Sequence, residues 1–259
     1  MSNDTEDATE PPYTFEWHYA PRSFFEGPVE FEGDGAKFTA DDGVARAVIP
    51  SSGMQDIRSR RDRFHELLKQ RFLVRQLISS QNFELPQPGL SRRWADGRCD
   101  AYLFVESAVH ISTSGQLDLV VKDNDGNVIR DTKRDRMARE GRLAALVAKH
   151  GTDPTVTKLL ASRQAGSQDA ANELVHLAEI EEAMSTYFGG DAKAKLALSL
   201  STPQWKALTK PANDPTNPVG RHRGRHLGEM RRSSRTELEE ARRVSTLMIE
   251  RFLEYLDRQ

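Results

Sequence analysis

Along this chain the apolar residues first alternate with a period of two. Past about residue 131 they recur every three or four positions. A period of two lines up side chains on one face of a strand, and a spacing of three to four lines them up on one face of a helix. The expected fold is therefore α+β: an N-terminal antiparallel β-rich half with one long helix, then a C-terminal helical bundle. The stretch YTFEWHY puts Tyr13, Phe15, Trp17 and Tyr19 on a single face. The stretch VEFEGDGAKFTADDGVARAVI reads as three short strands, with turns at Gly33-Asp34-Gly35 and Asp41-Asp42-Gly43. Glycine supplies the positive φ that such tight turns need.

Residues 52–79 interrupt the alternation, with Ile57, Phe64, Leu67, Leu68, Phe72 and Leu77 at helical spacing and a charged opposite face. Pro86, Pro88 and Gly89 end that helix. Strands resume in LSRRW, in CDAYLFVESAVHIS, and in QLDLVVKD and NVIRD, the last two joined by Asp123-Asn124-Asp125-Gly126. Helices are then expected over 133–150, 154–163, 167–188, 191–200, 203–209 and 234–257. The last has the strongest local support. Ser234-Arg235-Thr236-Glu237 fits a capping box, and Leu238, Ala241, Val244, Met248, Phe252 and Tyr255 form its apolar stripe. The implied organisation is an acidic tail over 1–12, a β-rich α+β domain over 13–132 and a helical domain over 133–259.

Several function classes lose support on composition and motifs. No apolar run approaches the ~20 residues that span a bilayer, so no membrane partner is expected. The start, MSNDTEDATEPP, lacks the apolar core of a secretory signal, and a cytoplasmic protein of bacterial type is the plain reading. Cys99 is the single cysteine, so neither an internal disulfide nor a cysteine zinc cluster is expected. Gly-x-Ser-x-Gly and Gly-x-Gly-x-x-Gly are both missing, and no cofactor is expected. If Gly126 were the sixth residue of a calcium loop, the loop would run from Val121 to Thr132, which supply no carboxylates at its two ends. A hairpin turn is the simpler reading. His176 lies among Glu173, Glu179 and Glu182 at helical spacings. Half of a di-metal bundle site has this form, but no second Glu-x-x-His exists in the helical half, which favours a polar seam between helices.

The most distinctive charge pattern is PVGRHRGRHLGEMRRSSRTELEEARR, in a chain of net charge -2. Arg221, Arg223, Arg225, Arg231, Arg232 and Arg235 stand with His222 and His226 against one acid, Glu229, before Glu237. The segment follows Pro211, Pro215 and Pro218 and leads into the final helix. Arg221 and His226, with His222 directly after the arginine, resemble the Arg-x(4–6)-His signature of HEPN ribonucleases. Arg60 and His65 carry the same spacing on the long helix of the first half. The resemblance implies a bundle over 133–259 and metal-independent RNA cleavage. In that chemistry His226 is the acid/base, Arg221 the phosphate clamp and His222 the polar neighbour. Arg223, Arg225, Arg231 and Arg232 would hold nucleic acid. The same half also resembles the C-terminal part of bacterial proteins of unassigned function.

Two readings stand at this point. One is an RNA-binding or RNA-cleaving protein of HEPN-like type. The alternative is a non-catalytic protein-interaction module whose arginine-rich loop is structural or organises a complex. The corresponding partners are RNA, a protein, or a second copy of the chain as a homodimer. An enzyme should hold His226 beside a phosphate-sized basic cleft, whereas an interaction module should tie its arginines to acids. Glu173, Glu179 and Glu182 are expected as supporting acids facing the Arg221–Arg225 loop.

Overall fold

In the computed structural model the residues described are 11–50, 57–94, 99–102, 120–122, 128–222, 229, 231 and 233–259. The fold is α+β. The chain divides into two compact units, Met1–Phe72 with Phe83–Gly115, and Leu73–Asn82 with Gln116–Gln259.

The first unit is built on a six-stranded antiparallel sheet. Its strands are β1 (Tyr13–His18), β2 (Val29–Gly33), β3 (Ala36–Asp41), β4 (Val44–Ile49), β5 (Gly89–Arg93) and β6 (Cys99–Tyr102), in the order β2-β3-β4-β1-β5-β6. The two hairpins β2–β3 and β3–β4 have two-residue loops, with Gly33 opposite Ala36 and Asp41 opposite Val44. Both loop residues take positive φ in each case: 50° and 74° at Asp34-Gly35, 40° and 84° at Asp42-Gly43. That is the turn whose twist matches a right-handed hairpin. Alternation sends Phe15, Trp17, Phe38, Ala45, Ala47 and Ile49 fully inward. The helix α1 (Ile57–Ser79) meets this face, with Phe64 edge-on to Phe15 and Phe38 at 5.4 and 5.3 Å. His65 accepts a hydrogen bond from the Trp17 indole at 3.2 Å, and burial lowers its pKa. This second Arg-x(4)-His pair thus places its histidine in core packing.

The second unit holds the two-stranded ladder of β7 (Val120–Lys122) and β8 (Val128–Asp131) and six further helices. These are α2 (Thr132–His150), α3 (Pro154–Gln168), α4 (Glu173–Phe188), α5 (Asp191–Ala197), α6 (Thr202–Asn213) and α7 (Arg235–Asp257). The calcium-versus-turn question at Asp123–Gly126 lies outside the described residues, as does the part of CDAYLFVESAVHIS beyond Tyr102. Helix α4 is central and packs on α3, α5, α6 and α7. Leu174, Leu177, Ala178, Ile180 and Met184 are its buried stripe, and α7, which packs on it, buries Val244, Met248, Ile249 and Phe252. No helix among the described residues is long and apolar enough to cross a membrane.

Besides α5, which ends at Ala197 rather than at residue 200, two places differ from the sequence expectation by more than a residue. The break expected between residues 163 and 167 falls at 169–172. There the Asp169 carboxylate accepts from the backbone N–H groups of Ala171 and Asn172, each at 3.2 Å. Gly166 lies inside α3, and a Cβ there would sit 3.5 Å from His176 and Leu177. The glycine brings α3 close to α4 rather than ending a helix. The helix expected over 203–209 continues to Asn213 through Pro211. Its buried stripe of Trp205, Leu208, Pro211 and Ala212 outlasts the proline, which lies in the last turn, where little of the intrahelical ladder remains to be lost.

Candidate functional site

The arginine-rich segment enters its site through a loop locked by one asparagine. Asn217 is fully buried, and its amide donates to the Pro211 carbonyl at 3.0 Å and to Ser233 Oγ at 2.6 Å. Its side-chain oxygen accepts from the Val219 N–H at 3.2 Å. Asp214 accepts from the backbone and hydroxyl of Thr216 at 2.9 and 2.7 Å. Gly220 follows where a Cβ would come within 3.0 Å of the Ala212 carbonyl and 3.1 Å of that of Asp214. Contacts that short are tighter than most side-chain carbons make, so the close approach favours glycine. The Arg221 N–H then bonds the Ala212 carbonyl at 2.8 Å, which fixes Arg221 against the end of α6.

From there the Arg221 guanidinium bonds Glu182 of α4. Glu181, Glu182 and Asp191 share with Arg221 the wall of a cleft of about 630 Å³. Ser185, Thr186 and Thr209 contribute hydroxyl groups and Asn213 an amide to the same cleft. Ser185 Oγ donates to Asp191 at 2.6 Å. Glu181 is 6% exposed, and no ion pair holds it among the described residues. Burial and the Asp191 charge push its carboxyl up from the usual 4.5 to about 7, with Arg221 opposing and Glu182 adding to the rise. The Trp205 indole lowers the pKa, although its buried N–H completes no hydrogen bond of normal geometry. The buried Nε of Arg221 likewise has none.

The other described arginines of the segment and of α7 are also tied to acids. Arg231 bonds Glu237 at 3.0 and 3.3 Å and reaches Asp214 at 3.4 Å. Glu237 closes the capping box with Ser234, and Arg231 followed by the Ser234 N–H draws its pKa down to about 2. Arg235 pairs with Glu239 at 2.7 Å and Arg243 with Glu240 at 2.7 Å. Arg242 holds Glu173 through two bonds of 2.5 and 2.7 Å. Beside that pair Arg163 is 2% exposed and donates to Ser167 and Ser80, each at 2.9 Å.

These contacts correct the expected acidic stripe. Of Glu173, Glu179 and Glu182, only Glu182 meets Arg221. Glu173 turns to α7, and Glu179 accepts from Ser162 of α3 at 2.9 Å and lies 3.5 Å from His176 Nδ1. The reason is helical phase. Each step of three residues advances about 300°, so Glu173 and Glu182, three such steps apart, face opposite sides. His176 has Asp169 3.6 Å from its other nitrogen. His222 is half-buried beside Arg221. His226, Arg223, Arg225 and Arg232 lie outside the described residues. Sequence reasoning passed over Glu181, Asp191 and Arg242. A signal existed for Glu181, because it falls in phase with Leu174, Leu177, Ala178 and Met184 on the buried stripe.

No family model, no curated protein and no solved structure matches the chain.

Proposed function

We propose that this chain is a non-catalytic protein-interaction module whose arginine-rich segment braces the helical unit. The observation that carries this reading is the pairing of Arg221, Arg231, Arg235, Arg242 and Arg243 with carboxylates of their own unit. A nucleic-acid grip works by neutralising phosphates with cations and releasing counterions. Arginines already neutralised by carboxylates gain less from a phosphate. A phosphate at Arg221 would also meet Glu181, Glu182 and Asp191, all on the same cleft. Exposed apolar side chains of the second unit, Val120, Val128 and Ile129 on the β7–β8 ladder and Met137 on α2, add support for a protein partner.

The test is an RNA-binding titration at low salt, with stability measured in parallel. Expected is no binding of short single-stranded RNA, and a lower unfolding midpoint for Arg221→Gln. RNA binding that falls steeply with salt and is weakened by Arg221→Ala would overturn the reading. RNA cleavage that survives a chelator and is lost in His226→Ala would favour the HEPN-like one.

A further inference from the structure

We propose that the cleft formed by α4, α5, α6 and Arg221 binds an organic cation bearing alkylammonium groups, with Glu181, Glu182 and Asp191 as its anionic partners. The volume of about 630 Å³ suits a small extended ligand or an inserted side chain. Three carboxylates against one arginine give the cleft excess negative charge, which selects cations and excludes phosphates. The cluster alone would be unremarkable, since surface acids are ordinarily solvated. Glu181 sets it apart. It is 94% withdrawn from solvent (6% exposed), lines the cleft, and lacks an ion-pair partner among the described residues, although Arg221 stands on the same wall. Arg221 is committed to Glu182 instead. A carboxylate so withdrawn from solvent on a cleft wall is stabilised by a proton or by a cation supplied from outside.

The donor set indicates which cation. Among the described residues no three histidine, cysteine or acidic side chains are placed to hold a metal ion. The carboxylates come from separate helices, α4 and α5, and the Thr186 and Thr209 hydroxyls line the same cleft as further acceptors. An ammonium group offers three N–H donors spread tetrahedrally and suits acceptors in different directions. A guanidinium fork favours one carboxylate held in plane. The shared chemistry has two sources, a free polyamine and a protein lysine side chain. The inference does not rest on the interaction reading above.

Binding should be coupled to proton release. Of the groups acting on Glu181, Asp191 of α5 and Glu182 of its own helix raise its pKa, while Arg221 and the Trp205 indole of α6 lower it. A bound cation favours the ionised form, so affinity should rise as pH passes upward through about 7.

Isothermal titration of the full chain with spermidine, and separately with Nα-acetyl-lysine amide, tests this at pH 6 and pH 8. Tetramethylammonium, which has no N–H donor, is the control. Expected are binding at pH 8, at least tenfold weaker binding at pH 6, and release of protons at pH 7. At least tenfold weakening is also expected in Glu181→Gln. That variant keeps the shape of the protonated side chain, and Asp191→Asn, at the exposed start of α5, provides an independent one. Binding of spermidine alone assigns a free polyamine, and comparable binding of the lysine derivative assigns a protein side chain. The proposal is overturned if neither binds at pH 8, if tetramethylammonium binds as tightly, or if both variants bind like the parent.

Discussion

Glu173 and Glu181 sit on the same helix, two turns apart, and are nearly equally withdrawn from solvent at 4% and 6% exposure. Their surroundings diverge. Glu173 meets α7, where Arg242 grips both of its oxygens, with Arg163 close behind. Glu181 faces the α5–α6 side, where Arg221 is committed to Glu182 and the buried Trp205 N–H completes no hydrogen bond of normal geometry. Burial alone therefore does not decide the state of a carboxylate. The available donors decide it, and α4 shows both outcomes within one helix. At the first site the charge is balanced inside the chain, and at the second it is left for a proton or a ligand.

The largest test of this comparison is to make the first site resemble the second. Arg242→Ala leaves Glu173 buried without its bidentate partner, which should cost about 3 kcal/mol in urea unfolding at pH 8. Adding Glu173→Gln to Arg242→Ala should recover most of that loss, because no unpaired charge is then left buried, and no recovery would show that Arg242 acts through packing alone. The converse change is Glu181→Gln. A carboxyl whose pKa is raised from 4.5 to about 7 stabilises the fold fully below the lower value, and that contribution is lost as pH rises toward the upper one. Glutamine removes the penalty, so the variant should be more stable than the parent by about 3 kcal/mol at pH 8 and equal to it near pH 4. Equal stability at both would place Glu181 in contact with water or a cation already in the free protein.

Most of the fold was legible because its signals are local. Alternating Phe15 and Trp17, the two Asp-Gly turns and the Ser234–Glu237 box each specify a geometry within a few residues. The helix limits failed where tertiary contact overrode a local breaker. Gly166 served close packing against His176 and Leu177, and Pro211 stayed in helix because the stripe through Trp205 and Leu208 continued inward. The candidate site was half legible. Complementary charge pairs Arg221 with Glu182, but a ladder of three-residue steps drifts in phase, so its acids do not share one face. Which carboxylate lacks an arginine depends on the placement of the 214–221 loop by Asn217 and Gly220, and residues that far apart leave no periodic trace.

A smaller effect belongs to Glu237, which is paired like Glu173 but faces solvent, with its side chain 37% exposed. Glu237→Ala removes half of the capping box and the Arg231 bonds. The expected cost is about 1 kcal/mol, with the ion pair largely screened by solvent. Its pKa is depressed to about 2, so the parent should hold this stability above pH 4.5 and lose it as pH falls toward 2. Thermal unfolding of the two proteins should therefore converge in acid.

The smallest effect is expected at Arg235, whose side chain is 92% exposed and pairs with Glu239, itself 52% exposed, one helical turn away. An exposed i,i+4 pair contributes roughly 0.3 kcal/mol at low salt. The arginine also stands in the first turn of α7, where the helix dipole disfavours a cation by a similar amount. The two contributions oppose each other, so Arg235→Ala should leave the urea midpoint within about 0.3 kcal/mol of the parent at any salt concentration. The contrast with Arg242→Ala then isolates burial of the partner carboxylate, since both substitutions remove one arginine–glutamate pair involving the same helix. A loss at Arg235 as large as that at Arg242 would mean that the arginines brace the unit by number rather than by position, and the distinction between Glu173 and Glu181 would lose its physical basis.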